Sequence, residues 1–360
     1  MTAVATTAFD PARDPLRLRR LIVLTALGAG LVTACLIAAT LGALSIPFSH
    51  VVAALLARAG IDIGVPVAPV EDAALFAIRL PRVALGLGVG ATLGLAGAAL
   101  QALFRNPLAD PGLIGVSGGA ACGAVGWIVL GAQLPLWMHT GFAMPAAAFL
   151  AGLIATGGVY IIGRTQTRTD IATLLLAGLA VNALTTAVVG YLTYLGSDAQ
   201  LRALTFWLLG GLGGATWDQI WPVLLIMAAT GTGFGILARG YDLFALGENA
   251  AGHLGLAVET VRRATILLVA LGVGASVALT GIIGFVGLAA PHLVRLLGGS
   301  AHRFVLPGSA LLGALLVVLA DVAARLLVMP AELPIGVVTS ALGAPFFIWL
   351  LRRRLREVSP

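Results

Sequence analysis

Tyr241 to Leu256 reads YDLFALGENAAGHLGL. It is a polar island in a chain that is otherwise almost wholly apolar. Asp242, Glu248, Asn249 and His253 stand there among Gly247, Gly252 and Gly255. Arg239 precedes the stretch, and Arg262 and Arg263 follow it. Apolar runs of about the 20 residues that a membrane-crossing helix needs flank it on both sides. The spacing predicts a short helix from Glu248 to Leu254, with Gly247 ahead of it and Gly255 as its C-terminal stop. A helix placed between two spans on an arginine-rich face can touch a cytoplasmic partner. An ordinary solvated loop would show the same polarity.

The composition around this island decides the class. Of 360 residues, 59% are hydrophobic and 10% charged, whereas a soluble domain is about a quarter charged. Mean hydropathy is +1.04. Candidate spans are 21–44, 83–104, 112–131, 142–163, 171–195, 219–237, 264–285, a short piece at 286–297, 307–328 and 336–351. The expectation is an all-α, polytopic membrane protein of about ten transmembrane helices in a single domain, 1–360. With the N-terminus inside, only Arg58, Arg79, Arg82, Arg202 and Arg325 of the 21 basic residues, all arginine, fall outside. That bias puts both termini in the cytoplasm, with 1–20 as a tail. Omitting the short eighth span would turn the C-terminal arginines outward. The net charge of +6 reflects loops against an anionic lipid leaflet, not nucleic acid. Cys35 and Cys122 lie within spans and read as buried spectators. The run from Leu21 to Phe48 is too long for a signal-peptide core and reads as an uncleaved first span.

Several polar residues carry two readings. Arg79 and Arg82 flank Pro81 at the outer entrance of the second span. They could anchor the helix by snorkelling, or dock acidic residues of an extracytoplasmic partner. Gly86, Gly90 and Gly94 follow at four-residue steps, which suits close helix packing. Gly115 to Gly119 (GVSGG) lacks the Lys-Ser/Thr of a nucleotide loop and falls inside a span. Phe206-Trp207 followed by four glycines predicts a short outer helix and a bend. Arg202 could face an anionic cargo or pair with Asp198. His292 has no second ligand at metal spacing, so a helix-end role is favoured and no metal is expected. Asp321 lies within a span, which makes it a functional candidate, but Arg325 stands one turn away and an i,i+4 pair accounts for it.

Four of these stretches share a resemblance. Arg79-Leu-Pro-Arg82 leads into Gln101-Ala-Leu-Phe-Arg-Asn-Pro-Leu-Ala-Asp-Pro-Gly-Leu-Ile-Gly-Val-Ser-Gly-Gly119, with Ile114 where leucine is common. Asp242-x-x-x-Leu-Gly-Glu-x-Ala-Ala-x-x-Leu-Gly255, Gly281 to Arg295 (GIIGFVGLAAPHLVR) and Glu332 to Phe347 (ELPIGVVTSALGAPFF) follow in order. Together they resemble the permease subunits of ATP-binding-cassette importers for iron-siderophores, haem and cobalamin. Ser197 to Gly214 is most similar to the haem branch.

The resemblance implies an inner-membrane importer permease, a homodimer, with two ATP-binding-cassette ATPase subunits below and a periplasmic substrate-binding protein above. ATP and Mg would be held by the partner, no cofactor by this chain, and haem would be the cargo. Ferric siderophore or cobalamin is the alternative within the family. The coupling residues would be Ala245, Leu246, Gly247, Glu248, Ala251, Leu254 and Gly255. Arg79, Arg82 and Arg325 would dock the binding protein. Arg202, Phe206, Trp207 and Thr339 would line the pathway. The chain would be no enzyme itself. An ion-coupled transporter or channel is the reading from another class, and the scarcity of intramembrane charge disfavours it.

Overall fold

Glycine decides where this bundle is tightest. In the computed structural model, described over residues 15–42, 44–164 and 170–358, α1 (Pro15–Thr40) is followed by α2 (Phe48–Arg58) and α3 (Pro69–Ala73). A π-helical turn at Ala74–Arg79 leads directly into α4 (Leu80–Leu103). Arg13, Arg168 and the first 14 residues of the expected tail lie outside the described residues, as do the side chains of 15, 349–351 and 353–358. On α4, a Cβ added to Gly90, Gly94 or Gly97 would stand 2.3, 2.1 or 1.8 Å from a backbone oxygen of Gly313, Ser309 or Gly287. Backbones this close leave no room for any side chain, and van der Waals contact replaces the hydrophobic drive that lipid does not supply.

The order continues through α5 (Val116–Leu130), α6 (Ala143–Ile162), α7 (Ile171–Leu195) and the short outer α8 (Asp198–Leu209). Then come α9 (Trp217–Ile236), α10 (Ala238–Phe244), α11 (Glu248–His253) and α12 (Val258–Thr280). The chain closes with α13 (Val286–Gly298), α14 (His302–Leu326) and α15 (Ile335–Val358). Among the described residues eight helices are long and apolar enough to cross a membrane, and the apolar stretches at Val286–Gly298 and Ile335–Ile348 are shorter. These two are the stretches expected as spans at 286–297 and 336–351, and unwound chain adds length before α13. From Gly281 to Gly284 the backbone is non-helical, and α13 adds 13 residues, about 20 Å. Its foot is on the inner side, where Arg20 Nε donates to Gly298 O at 2.8 Å. Non-helical backbone at membrane depth survives only inside protein or beside a cavity. Here Gly211 N–H donates to Thr280 O at 2.7 Å, and the residues that flank the segment, Thr280 and Phe285, each line one of the cavities described below.

The outer helix expected near His50 to Ala59 is α2, and the bend expected after Trp207 is Gly210, at φ 72°. Cys35 and Cys122 are free thiols. The core belongs to α4, α12 and α14, while α1, α6, α7 and α9 present much of their surface outward.

Candidate functional site

Two polar regions at opposite ends of the bundle stand out, and the inner one is local in sequence. A helix of six residues does not hold itself in water. α11 is held from its ends and from beneath. Gly247 enters it at φ 100° and ψ 152°, a conformation open in practice to glycine, and Gly255 leaves it at φ 85°. The helix stops at His253, one residue short of expectation. Ala251 is fully buried, while Ala245, Leu246, Leu254 and Gly255 face outward.

Beneath α11 lies Arg262, 2% exposed. Its Nη2 donates to Glu248 Oε1 at 2.6 Å and its Nη1 to Glu259 Oε2 at 3.0 Å. Arg263 Nε reaches the other oxygen of Glu259, also at 3.0 Å. Glu248, Asn249, Gly252, His253 and Arg262 border an open groove of about 530 Å³. α10 is tied down separately. Asp242 Oδ1 accepts the backbone N–H of His302 and sits 2.8 Å from its Nδ1, and the Tyr241 hydroxyl lies 3.1 Å from Thr265 Oγ1. Burial pushes the Tyr241 phenol above its usual range, so it serves as a neutral hydrogen-bonding group.

The outer region joins four distant pieces of chain. Arg82 Nε donates to Asp321 Oδ1 at 2.8 Å, and Arg82 Nη1 to Glu332 Oε1 and Oε2 at 3.0 and 2.9 Å. Arg325 Nε lies 3.1 Å from Asp321 Oδ2, the i,i+4 pair expected from the sequence. Arg325 also donates to the carbonyls of Ala38 and Leu41. Arg79 donates to the carbonyls of Ala39, Thr40 and Leu44. The Ala39 and Thr40 oxygens lie in the last turn of α1, where carbonyls have no partner within the helix, and Leu44 lies just beyond it. Arg79, Arg82 and Arg325 are therefore buried cross-links, where the sequence suggested side chains at the outer surface. A span of nearly 240 residues separates Arg82 from Asp321, so spacing could not reveal that pair. The signal that was available was coarse: two carboxylates among three outer arginines.

The pathway candidates do not converge. Arg82, Phe206, Trp207, Gly210, Thr280 and Glu332 are among the residues around an outer cavity of about 360 Å³. Arg202 is exposed on α8 and makes no ion pair with Asp198 or with any other described residue. Thr339 instead borders a second, apolar cavity of about 190 Å³ with Phe285, Leu342 and Phe346. His292 sits edge-on to Phe346, 6.4 Å between ring centroids. Among the described residues no three His, Cys, Asp or Glu side chains gather as a metal site.

Comparison with known proteins places this geometry. The FecCD transport family matches residues 17–353. A hemin transport system permease protein of Yersinia pestis is 44% identical over 288 residues, 78% of this chain and 84% of the relative. A vitamin B12 import system permease protein of Salmonella typhi is 43% identical over 286 residues, 78% of this chain and 83% of the relative. Among solved structures, a metal-chelate type ABC transporter in an inward-facing conformation superposes with a TM-score of 0.80 at 30% identity, over 92% of this chain and 99% of that one.

Proposed function

The chain belongs to the FecCD transport family, and we propose that within it this chain conducts haem. It is a multi-pass permease of the bacterial inner membrane and not an enzyme; the ATPase of such an importer is a separate subunit. The observation that carries the haem reading is the outer mouth. Haem is a flat apolar macrocycle with two anionic propionates. Arg202 stands exposed on α8 with Phe206 one turn further on, also exposed, and Trp207 beside it. A cation one turn from exposed aromatic surface suits such a ligand. The 44% identity to a hemin permease supports this choice, and the 43% identity to a vitamin B12 permease keeps cobalamin as the second reading.

In this reading two copies of the chain face each other across the pathway. The outward surface of α11 enters a cleft in each of two ATPase subunits, with Leu246 and Leu254 as its apolar edges. A periplasmic binding protein docks above, and alternating access follows from rocking the two copies. Arg82 is the docking arginine that reaches the outer cavity; Arg325 shares Asp321 with it, and Arg79 holds the carbonyls at the end of α1.

The test is ATP-driven uptake into liposomes carrying the permease, its ATPase and its binding protein, with haem, a ferric siderophore and cobalamin compared. Haem uptake that falls with Arg202→Ala is expected. Cobalamin uptake alone would move the chain to the second reading. Glu248→Arg and Gly247→Trp should abolish ATPase co-purification while the permease stays folded. Normal co-purification of both would remove α11 from the coupling role.

A further inference from the structure

Two guanidinium groups, those of Arg82 and Arg325, meet two carboxylates at the outer end of the bundle, while Arg79 donates to backbone carbonyls. The two carboxylates are not alike. The side chain of Asp321 is 4% exposed and lies between Arg82 and Arg325. Glu332 is 52% exposed, and Arg82 is its only hydrogen-bond partner among the described residues. Asp321 therefore compensates a buried charge and cannot leave without stranding two cations. Glu332 can turn into water at little cost, as half-exposed ion pairs are weak.

The approach to the pair is open. The Arg82–Glu332 contact borders the outer cavity, and Gly213 borders it too. A Cβ on Gly213 would stand 3.6 Å from both Arg82 Nη1 and Glu332 Oε2. Only glycine leaves that approach clear of side-chain atoms. A carboxylate arriving from outside thus meets Arg82 from the side on which Glu332 now sits.

We propose that Glu332 is an internal stand-in for an acidic side chain of the docking protein, displaced from Arg82 when that protein binds. This rests on the docking reading above and adds its mechanism. During the exchange Arg82 Nε keeps Asp321, while Nη1 passes from Glu332 to the incoming carboxylate, so no buried charge is left unpaired. The released residue sits in a short connection with two further anchors. Leu333 N–H donates to Ala324 O at 3.1 Å, and Ile335 N–H donates to Gly210 O at 2.9 Å. Gly210 is the bend beside the outer cavity, and Ile335 begins α15. Docking therefore acts on the segment that joins α15 to the outer mouth.

The experiment is a titration of the system's own binding protein against the intact permease–ATPase complex in nanodiscs, at low and high salt. Glu332→Gln removes the competing charge and should tighten docking about fivefold, the scale of one half-exposed ion pair. Arg82→Lys should weaken docking, and in the double variant the gain from Glu332→Gln should vanish. If Arg82→Lys weakens docking while Glu332→Gln leaves it unchanged or weaker, the exchange is wrong and docking at Arg82 stands. If neither variant changes docking, docking at Arg82 itself falls. Should Glu332→Gln not assemble, Glu332→Asp, with its carboxylate one methylene further from Arg82, should give a smaller tightening, and its absence overturns the exchange.

Discussion

The two ends of this permease hold their polar groups by opposite means. At the inner end the surface is a short local helix. Glycines bound it, and one buried cation 14 residues away holds it. At the outer end the charged groups are drawn inward and cross-link α1, α4, α14 and the connection to α15. The inner element is largely exposed and is held through Arg262 and the buried Ala251. The outer one is part of what holds the bundle together. The difference teaches that a charged motif at a span entrance can be a folding element first and a docking element second.

Substitutions can break that comparison, and the largest effect is expected at Asp321. Asp321→Ala leaves Arg82 and Arg325 without their shared buried acceptor, and should cost about 3–5 kcal/mol of permease stability. Denaturant unfolding of the purified permease in detergent checks it. A loss below about 1 kcal/mol would mean that the outer cluster is not structural. Arg262→Ala is the inner counterpart. It removes two charged hydrogen bonds, and should cost about 2 kcal/mol, seen as a roughly thirtyfold weaker affinity for the ATPase subunit with little change in unfolding of the bundle. An equal fall in bundle stability would erase the contrast between the two ends.

Gly247→Ala sharpens the inner half. An alanine at φ 100° is strained, by about 1.5 kcal/mol, and ATPase affinity should fall by about tenfold. Arg58→Ala is the smallest. Arg58 Nη2 pairs with Asp72 at 3.0 Å in exposed surroundings and its guanidinium lies over Phe76. Its loss should cost about 0.5 kcal/mol and leave both partner affinities unchanged.

The sequence by itself determined the all-helical membrane class, the long apolar helices and the inner helix. Hydropathy over about 20 residues marks a span wherever the neighbours lie. The 171–195 span matched α7 end for end. Glycine at positive φ acts on its own backbone, so Gly247 and Gly255 marked α11 to within one residue, and the glycines after Trp207 marked the outer bend. The Asp321–Arg325 pair was legible for the same reason, being one helical turn apart.

Only the tertiary structure decided what the outer charges do. Glu332 stands 250 residues from Arg82, and the carbonyls that receive Arg79 and Arg325 lie at the end of α1 and just beyond it. Such partners depend on which helices pack together, and the small residues of α4 permit many neighbours without naming one. Thr339 likewise looked like part of the pathway, yet the turn from Gly336 places it in a separate apolar cavity from Phe206 and Trp207. Local periodicity and backbone chemistry reach a few residues along the chain. A buried charge takes its partner from whatever the fold brings within 3 Å, and that is a property of the packed bundle.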